Sequence, residues 1–265
     1  MKSNEQLQAE LDSIQLAYEM AKQMSHFHST FLAKISHELR SPLSGIMGMH
    51  QLILGDLCDD PQEEREFIAQ AHGAAQKLMK LIDDIVVISK LEADRIQPSL
   101  RSVKLSNLLV QLEHCTKRQA ANRNNTLVVM PLETEVEIWS DPKLCVQAMV
   151  LLLDAVISQV EKTKIDISAS IDPATGQVKL LYEFPGNFSL WKYDSLANNQ
   201  PLTVITPAEI KGGDRPSPPH PAFILMLAKK QFQYLQGDWQ LKPESSDGVI
   251  RLVGTVPLLS PEPQN

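Results

Sequence analysis

Apolar residues recur along the opening part of the chain in alternating steps of four and three. Leu7, Leu11, Ile14, Tyr18, Ala21, Ser25, His28, Leu32, Ile35 and Leu39 trace this seam, with Ser25 and His28 as its polar interruptions. A heptad seam packs against partner helices. Pro42 shifts the phase, removing one backbone bond and favouring a kink, and Leu43, Ile46 and Ile53 resume the pattern. The spacing predicts a first helix that ends near Gly55. Asp60-Pro61-Gln62-Glu63 then reads as an N-cap, a first-turn proline and a capping-box acid. A second helix runs to about Ala93, with Phe67, Ala71, Ala74, Leu78, Leu81, Ile85 and Ile88 on one face. Two such helices and a short loop make an antiparallel hairpin. One hairpin cannot bury both apolar stripes, whereas two copies forming a four-helix bundle can, so a homodimer is expected.

Beyond Pro98 the period changes. Leu105 to Asn122 reads as a helix, and Thr126 to Met130 and Val136 to Trp139 as strands. Asp141-Pro142 caps a helix running to about Val160. Ile165 to Ile171 and Val178 to Glu183 form a hairpin around Asp172-Pro173-Ala174-Thr175-Gly176. A loop-rich stretch over 185–221 contains Gly212-Gly213 and ends in Arg215-Pro216-Ser217-Pro218-Pro219-His220-Pro221. A helix over about 222–236 stops at Gly237, and strands Trp239 to Lys242 and Val249 to Val256 flank Ser246-Asp247-Gly248. The expected fold class is α + α/β: a lead-in coiled coil (1–30), a helical hairpin (31–97), an α/β sandwich with helices on one face of a mixed sheet (98–260), and a disordered tail (261–265).

Composition narrows the classes. Hydrophobic residues at 43% and charged residues at 22% are ordinary for a globular chain, and aromatics at 5% imply an aliphatic core. The net charge is −7, most of it before Pro98, and no Lys/Arg cluster stands out, which argues against nucleic acid. Cys58, Cys115 and Cys145 lie far apart, as reduced thiols rather than a zinc site or disulfide frame. The polar start MKSNEQLQAELDS has no apolar leader. The longest apolar runs, Ala148 to Leu153 and Ala222 to Ala228, fall far short of the roughly 20 residues that span a bilayer. A cytoplasmic protein without a membrane partner is expected.

The most informative segment is Phe31-Leu32-Ala33-Lys34-Ile35-Ser36-His37-Glu38-Leu39-Arg40-Ser41-Pro42-Leu43. His37 lies two positions after seam residue Ile35, about 200° round the helix, so it faces solvent. Glu38 beside it is placed to accept the Nδ1 proton and raise the nucleophilicity of Nε2. This string resembles the phosphoacceptor box of two-component sensor histidine kinases over residues 31–54. The hairpin resembles that family's dimerisation and phosphotransfer domain to about residue 95, where Ser89-Lys90-Leu91-Glu92-Ala93 matches the usual end of its second helix. The resemblance makes His37 the phosphoacceptor and Glu38 the general base. Four residues after the histidine the family usually has Thr or Asn, which orients a water that dephosphorylates the partner; Ser41 stands there. The implied partner is a response-regulator receiver domain, whose own aspartate and Mg²⁺ take the phosphoryl group. An upstream histidine kinase is a second implied partner.

The resemblance continues more weakly into the second part, which in that family binds ATP. There the residues that matter are replaced. The two asparagines of the helix opened by Asp141-Pro142-Lys143 fall on Leu151 and Ala155, which offer no oxygen to Mg²⁺. The adenine-binding aspartate falls on Phe184, with Gly186 left from the surrounding glycines. The phosphate-facing glycine loop falls on Ala222-Phe223-Ile224-Leu225, where side chains take the space that backbone N–H groups need. The expectation is a sandwich that keeps the fold without ATP or metal as cofactors. His37 would then exchange a phosphoryl group with receiver aspartates without ATP-dependent autophosphorylation. A non-enzymatic adaptor of the same ancestry and a working kinase with a divergent ATP site are the alternatives. The remaining histidines show no ligand spacing, and Trp139, Trp191 and Trp239 read as core or sheet edge. About 25 residues before the hairpin are too few for a sensor domain, so input is expected from a partner or through the helices.

Overall fold

The structure, a computed structural model, describes residues 4–93, 95–132, 134–172, 175–186, 191, 220–242 and 248–258; before Phe31, side chains are described only at Gln15 and Tyr18. Gly212-Gly213, most of the proline-rich stretch after Arg215, and the tail over 261–265 lie outside these residues.

Two long helices open the fold, α1 (Asn4–Leu54) and α2 (Pro61–Glu92). Helix α1 passes through Pro42 as one element, so the lead-in and the first arm of the hairpin are continuous. Its end is closed by Gly55 N–H donating to the Gln51 carbonyl at 3.0 Å. Helix α2 starts as its sequence requires: Asp60 Oδ1 accepts from the N–H groups of Gln62 and Glu63, both at 2.8 Å. Glu63 reaches one residue further back than a simple capping box, accepting the Asp59 N–H at 2.6 Å. The end of the hairpin next to the loop has its own core, in which Met49 and Leu52 meet Phe67 and Ala71, with Ile46, Ile53 and Cys58 against them. The chain divides into two compact units, and the break falls inside α2: residues up to Leu78 belong to the first, and residues from Met79 on group with the sheet.

In the second unit, strand β1 (Arg101–Lys104) pairs antiparallel with β3 (Glu137–Ser140) in a two-stranded ribbon. The apolar pattern does not predict β1, because four residues with one apolar side chain carry no period. Helix α3 (Leu105–Asn122) follows directly, then β2 (Thr126–Val129), β3 and α4 (Pro142–Gln159). The five-stranded sheet has the order β2-β4-β5-β7-β6, with β4 Lys164–Asp172, β5 Gln177–Pro185, β6 Asp238–Lys242 and β7 Val249–Pro257. Among the described residues, β2–β4 is the parallel pair of this sheet and its other pairs are antiparallel. Helix α5 (Pro221–Tyr234) precedes β6.

Period-two burial explains the sandwich. Ile165 and Ile167 on β4, Val178, Leu180, Tyr182 and Phe184 on β5, and Ile250, Leu252 and Val256 on β7 are all buried, while their neighbours are more exposed. The helix layer supplies the other wall through Leu108 and Leu112 of α3, Met149 and Leu152 of α4, and Phe223 and Phe232 of α5. Helix α4 is apolar enough over its length to pass for a membrane span by composition, but most of its residues are buried in this core. Gly237 is required where α5 turns into β6: a Cβ there would lie 2.1 Å from the Thr255 carbonyl oxygen.

Candidate functional site

Helix α1 presents His37 and Glu38 on adjacent positions of a turn that ends at Pro42. A proline has no N–H, so it removes the donor that the Glu38 carbonyl would otherwise receive within the helix. The side chains are disposed unequally. Glu38 is buried, at 6% side-chain exposure, and His37 is 43% exposed. His37 Nδ1 lies 3.7 Å from Glu38 Oε1, beyond a formed hydrogen bond, and Nδ1 is itself buried with no hydrogen-bond partner among the described residues. The ring is thus partly exposed although its Nδ1 is buried on the side of the Glu38 carboxylate. Ser41, one turn on from His37, is half-buried, and Arg40 is exposed. Ser36 is spent locally, donating its hydroxyl to the Leu32 carbonyl at 2.9 Å. Partial burial pulls the Lys34 ammonium below its usual range.

The positions of the second region are occupied differently. Asp141 caps α4 as its sequence predicts, with Oδ1 accepting from Lys143 N–H at 2.9 Å and Leu144 N–H at 3.0 Å. Leu151 and Ala155 are buried in α4, at 2% and 1% exposure. Phe184 is buried near the end of β5, and its ring packs on Trp191 with centroids 5.3 Å apart. Ala222 and Ile224 are half-buried in the first turn of α5, while Phe223 and Leu225 between them are buried. That helix is N-capped by His220, whose Nδ1 accepts the Ala222 N–H at 3.2 Å. No grouping of three or more metal-ligating side chains occurs among the described residues.

Sequence reasoning missed a set of polar groups between α2 and α4. Lys80 pairs with Asp154, and Gln147 Nε2 donates to Asp84 Oδ1 at 2.9 Å. Burial raises both carboxyls above their usual range. For Asp154, Lys80 and Gln119 of α3 pull the other way; for Asp84, Gln147 and Lys80 do so, while Asp154 and Asp83 add to the rise. The signal was present: Asp154 interrupts an otherwise apolar run from Ala148 to Ile157.

Residues 27–94 match the family model of the His Kinase A (phospho-acceptor) domain. The circadian input-output histidine kinase CikA of Synechococcus elongatus is 31% identical over 137 residues, 49% of this chain and 18% of the relative. The aerobic respiration control sensor protein ArcB homolog of Haemophilus influenzae is 32% identical over 123 residues, 46% of this chain and 37% of the relative. The chain thus spans well under half the length of these curated relatives. The fold resembles that of Acinetobacter baumannii histidine kinase AdeS, with a TM-score of 0.60 at 15% identity over 84% of this chain and 98% of that one. It also resembles histidine kinase ThkA, solved in complex with response regulator protein TrrA. That TM-score is 0.59 at 15% identity, covering 92% of this chain and 66% of the other.

Proposed function

Because the chain belongs to the two-component sensor histidine kinase family, we propose that His37 exchanges a phosphoryl group with the aspartate of a response-regulator receiver domain and is not loaded from ATP bound by this chain. The observation that carries the reading is the environment of His37, whose Nδ1 is buried beside the Glu38 carboxylate while the side chain as a whole stays 43% exposed.

The chemistry follows from that environment. Neutral His37 keeps its proton on Nδ1 and offers the Nε2 lone pair to the phosphorus of a receiver acyl phosphate. The N–P bond forms as the P–O bond to the receiver aspartate breaks, and the aspartate leaves as a carboxylate. Positive charge grows on the imidazole during the step. Glu38, held by burial rather than by a long flexible reach, stabilises that charge and takes the Nδ1 proton. Its effect is larger in the transition state than in the ground state, which is the condition for acceleration. The 3.7 Å gap has to shorten by well under an ångström for a hydrogen bond to form. In a separate reaction Ser41, a turn away, is the proposed orienter of a water that attacks the receiver's acyl phosphate and releases the aspartate carboxylate and inorganic phosphate. The metal belongs to the receiver in this reading.

The proposal that ATP–Mg²⁺ is not a cofactor of this chain is supported by what fills the aligned positions. Leu151, Ala155 and Phe184 carry no ligand atom and are packed inward. The reading also includes a homodimer. On α1, Leu32, Leu43 and Met47 are exposed and fall within about 60° of arc; on α2, Ile68, Ile82 and Val86 do the same. A four-helix bundle of two hairpins gives both stripes a cover. A cytoplasmic setting goes with the three free thiols.

The test uses two labels. The chain is incubated with labelled ATP and Mg²⁺, and separately with a labelled phosphorylated receiver. Label on His37 from the receiver alone is the expected result. Label from ATP overturns the reading in favour of a working kinase, and label from neither favours a non-enzymatic adaptor.

A further inference from the structure

Between α2 and α4, Asp84 is buried, Gln147 and Asp154 are partly buried and Lys80 is half-exposed, and carboxylates taken this far from water are costly unless they do something an apolar contact would not. Gln147, Leu151 and Asp154 share one face of α4, within about 60° of arc. The partners on α2 come in reverse order: Asp154 meets Lys80, and Gln147 meets Asp84 four residues later. Two crossed pairs of this kind fix an antiparallel register between the helices. Near the end of α2, Glu92 Oε1 lies 3.2 Å from Lys230 Nζ of α5, with both side chains largely buried. From Lys80 to Glu92 the ties span about 18 Å of helix.

We propose that these residues form a latch that holds the second half of α2 on the Leu151 face of α4, so that the sheet domain rides on that half of α2 as one body and that face of α4 is withheld from any ligand. The physical argument is register. An apolar contact sets register through packing alone, whereas a displaced latch also leaves the buried Asp84 and the partly buried Asp154 without their donors, at a cost that grows with their burial. The groups facing Asp154 are Lys80 of α2 and Gln119 of α3; those facing Asp84 are Gln147 and Asp154 of α4 with Lys80 and Asp83 of its own helix. Burial raises both carboxyls above their usual range, so the donors offset a desolvation cost. The consequence for nucleotide rests on the reading of Leu151 given above; the latch itself rests only on the geometry.

Hydrogen exchange on the full chain tests it, in peptides covering 79–92 and 144–158. Lys80→Met leaves Asp154 buried without its cation, and both peptides are expected to exchange at least tenfold faster together. Lys80→Arg keeps the charge and is expected to retain protection. Asp154→Leu removes the carboxylate, and Lys80→Met is then expected to have little further effect. That coupling also decides the matter should Lys80→Met alone fail to fold. Wild-type exchange in Lys80→Met, or an undiminished effect of Lys80→Met in the Asp154→Leu background, overturns the latch. Adding ATP and Mg²⁺ to the loosened Lys80→Met chain separates the two readings. No added protection leaves the lost nucleotide site standing. Nucleotide-dependent protection overturns that reading and leaves the latch in place.

Discussion

The turn around His37 and the interior of the sheet domain are matched to known proteins in different ways. The string from Phe31 to Leu43 lies within residues 27–94, which the family model of the phospho-acceptor domain matches. In the sheet domain the architecture is kept while identity to the solved structures falls to 15%. A sandwich needs alternating apolar positions, and many sequences supply them. A chemical site needs particular atoms at particular places, and in the reading proposed above Leu151, Ala155 and Phe184 stand where such atoms would be needed. Survival of fold is therefore no evidence for survival of chemistry, and the two regions have to be tested separately.

The largest expected effects are at His37 and its neighbouring carboxylate. Glu38→Ala leaves helix α1 with a better helix former and removes the group beside Nδ1. Transfer from a phosphorylated receiver is expected to slow by roughly 10²–10⁴-fold, the usual span for general-base help. His37→Gln is expected to abolish labelling altogether. Rapid-quench transfer assays at matched receiver concentration measure both. An unchanged rate in Glu38→Ala would make the buried carboxylate a structural group.

At the second region the expected loss is of stability, not of chemistry. Leu151→Ala removes a buried side chain and is expected to cost about 2–5 kcal/mol, seen as a lower denaturant midpoint. Phosphoryl transfer to the folded fraction is expected to stay as it is. A variant that left the midpoint alone would mean that Leu151 faces space a ligand can enter.

Much of this was legible beforehand, for reasons that differ by element. The long helices were readable because their apolar residues repeat over many turns and their caps are explicit, as with Asp60 and Pro61. Strands β4, β5 and β7 were readable from strict alternation. Strand β1 was not, since Val103 is its sole apolar residue and pairing with β3 is what makes it extended. At the site, the identity of His37 and Glu38 could be read, but not the inequality of their burial, which depends on how neighbouring elements cover one face of a helix. The Lys80–Asp154 pair was hidden for the same reason: its partners are 74 positions apart in the chain.

A smaller effect probes the outer face of the hairpin. Leu43 is exposed in the isolated chain and falls on the stripe assigned to the second copy. Leu43→Glu places a charge in each half of the expected interface. Burying it unpaired is expected to weaken dimerisation by at least tenfold, equivalent to about 1.4 kcal/mol. Sedimentation equilibrium across a concentration series measures it. A wild-type chain that remains at 29.6 kDa throughout would remove the dimer from the reading.

The smallest expected effect is a pH dependence at Asp84, and its sign is diagnostic. Burial raises this carboxyl in the folded chain, against the opposing pull of Gln147 and Lys80. The folded state therefore holds the Asp84 proton more tightly than the unfolded chain does. Its contribution to stability is fully present below the ordinary aspartate range and is lost as pH rises through the folded value, opposite to the usual surface carboxylate. Asp84→Asn mimics the protonated form and can still accept from Gln147 Nε2. Wild type and variant are expected to be closest in stability at the acid end. The variant is expected to gain on the wild type as pH rises, because only the wild type must then hold a buried charge. Denaturant midpoints for the two proteins over a pH series measure the difference directly. A difference that ran the other way would mean that the ionised Asp84 is better solvated in the folded chain than its burial allows, and that the α2–α4 contact is open in solution.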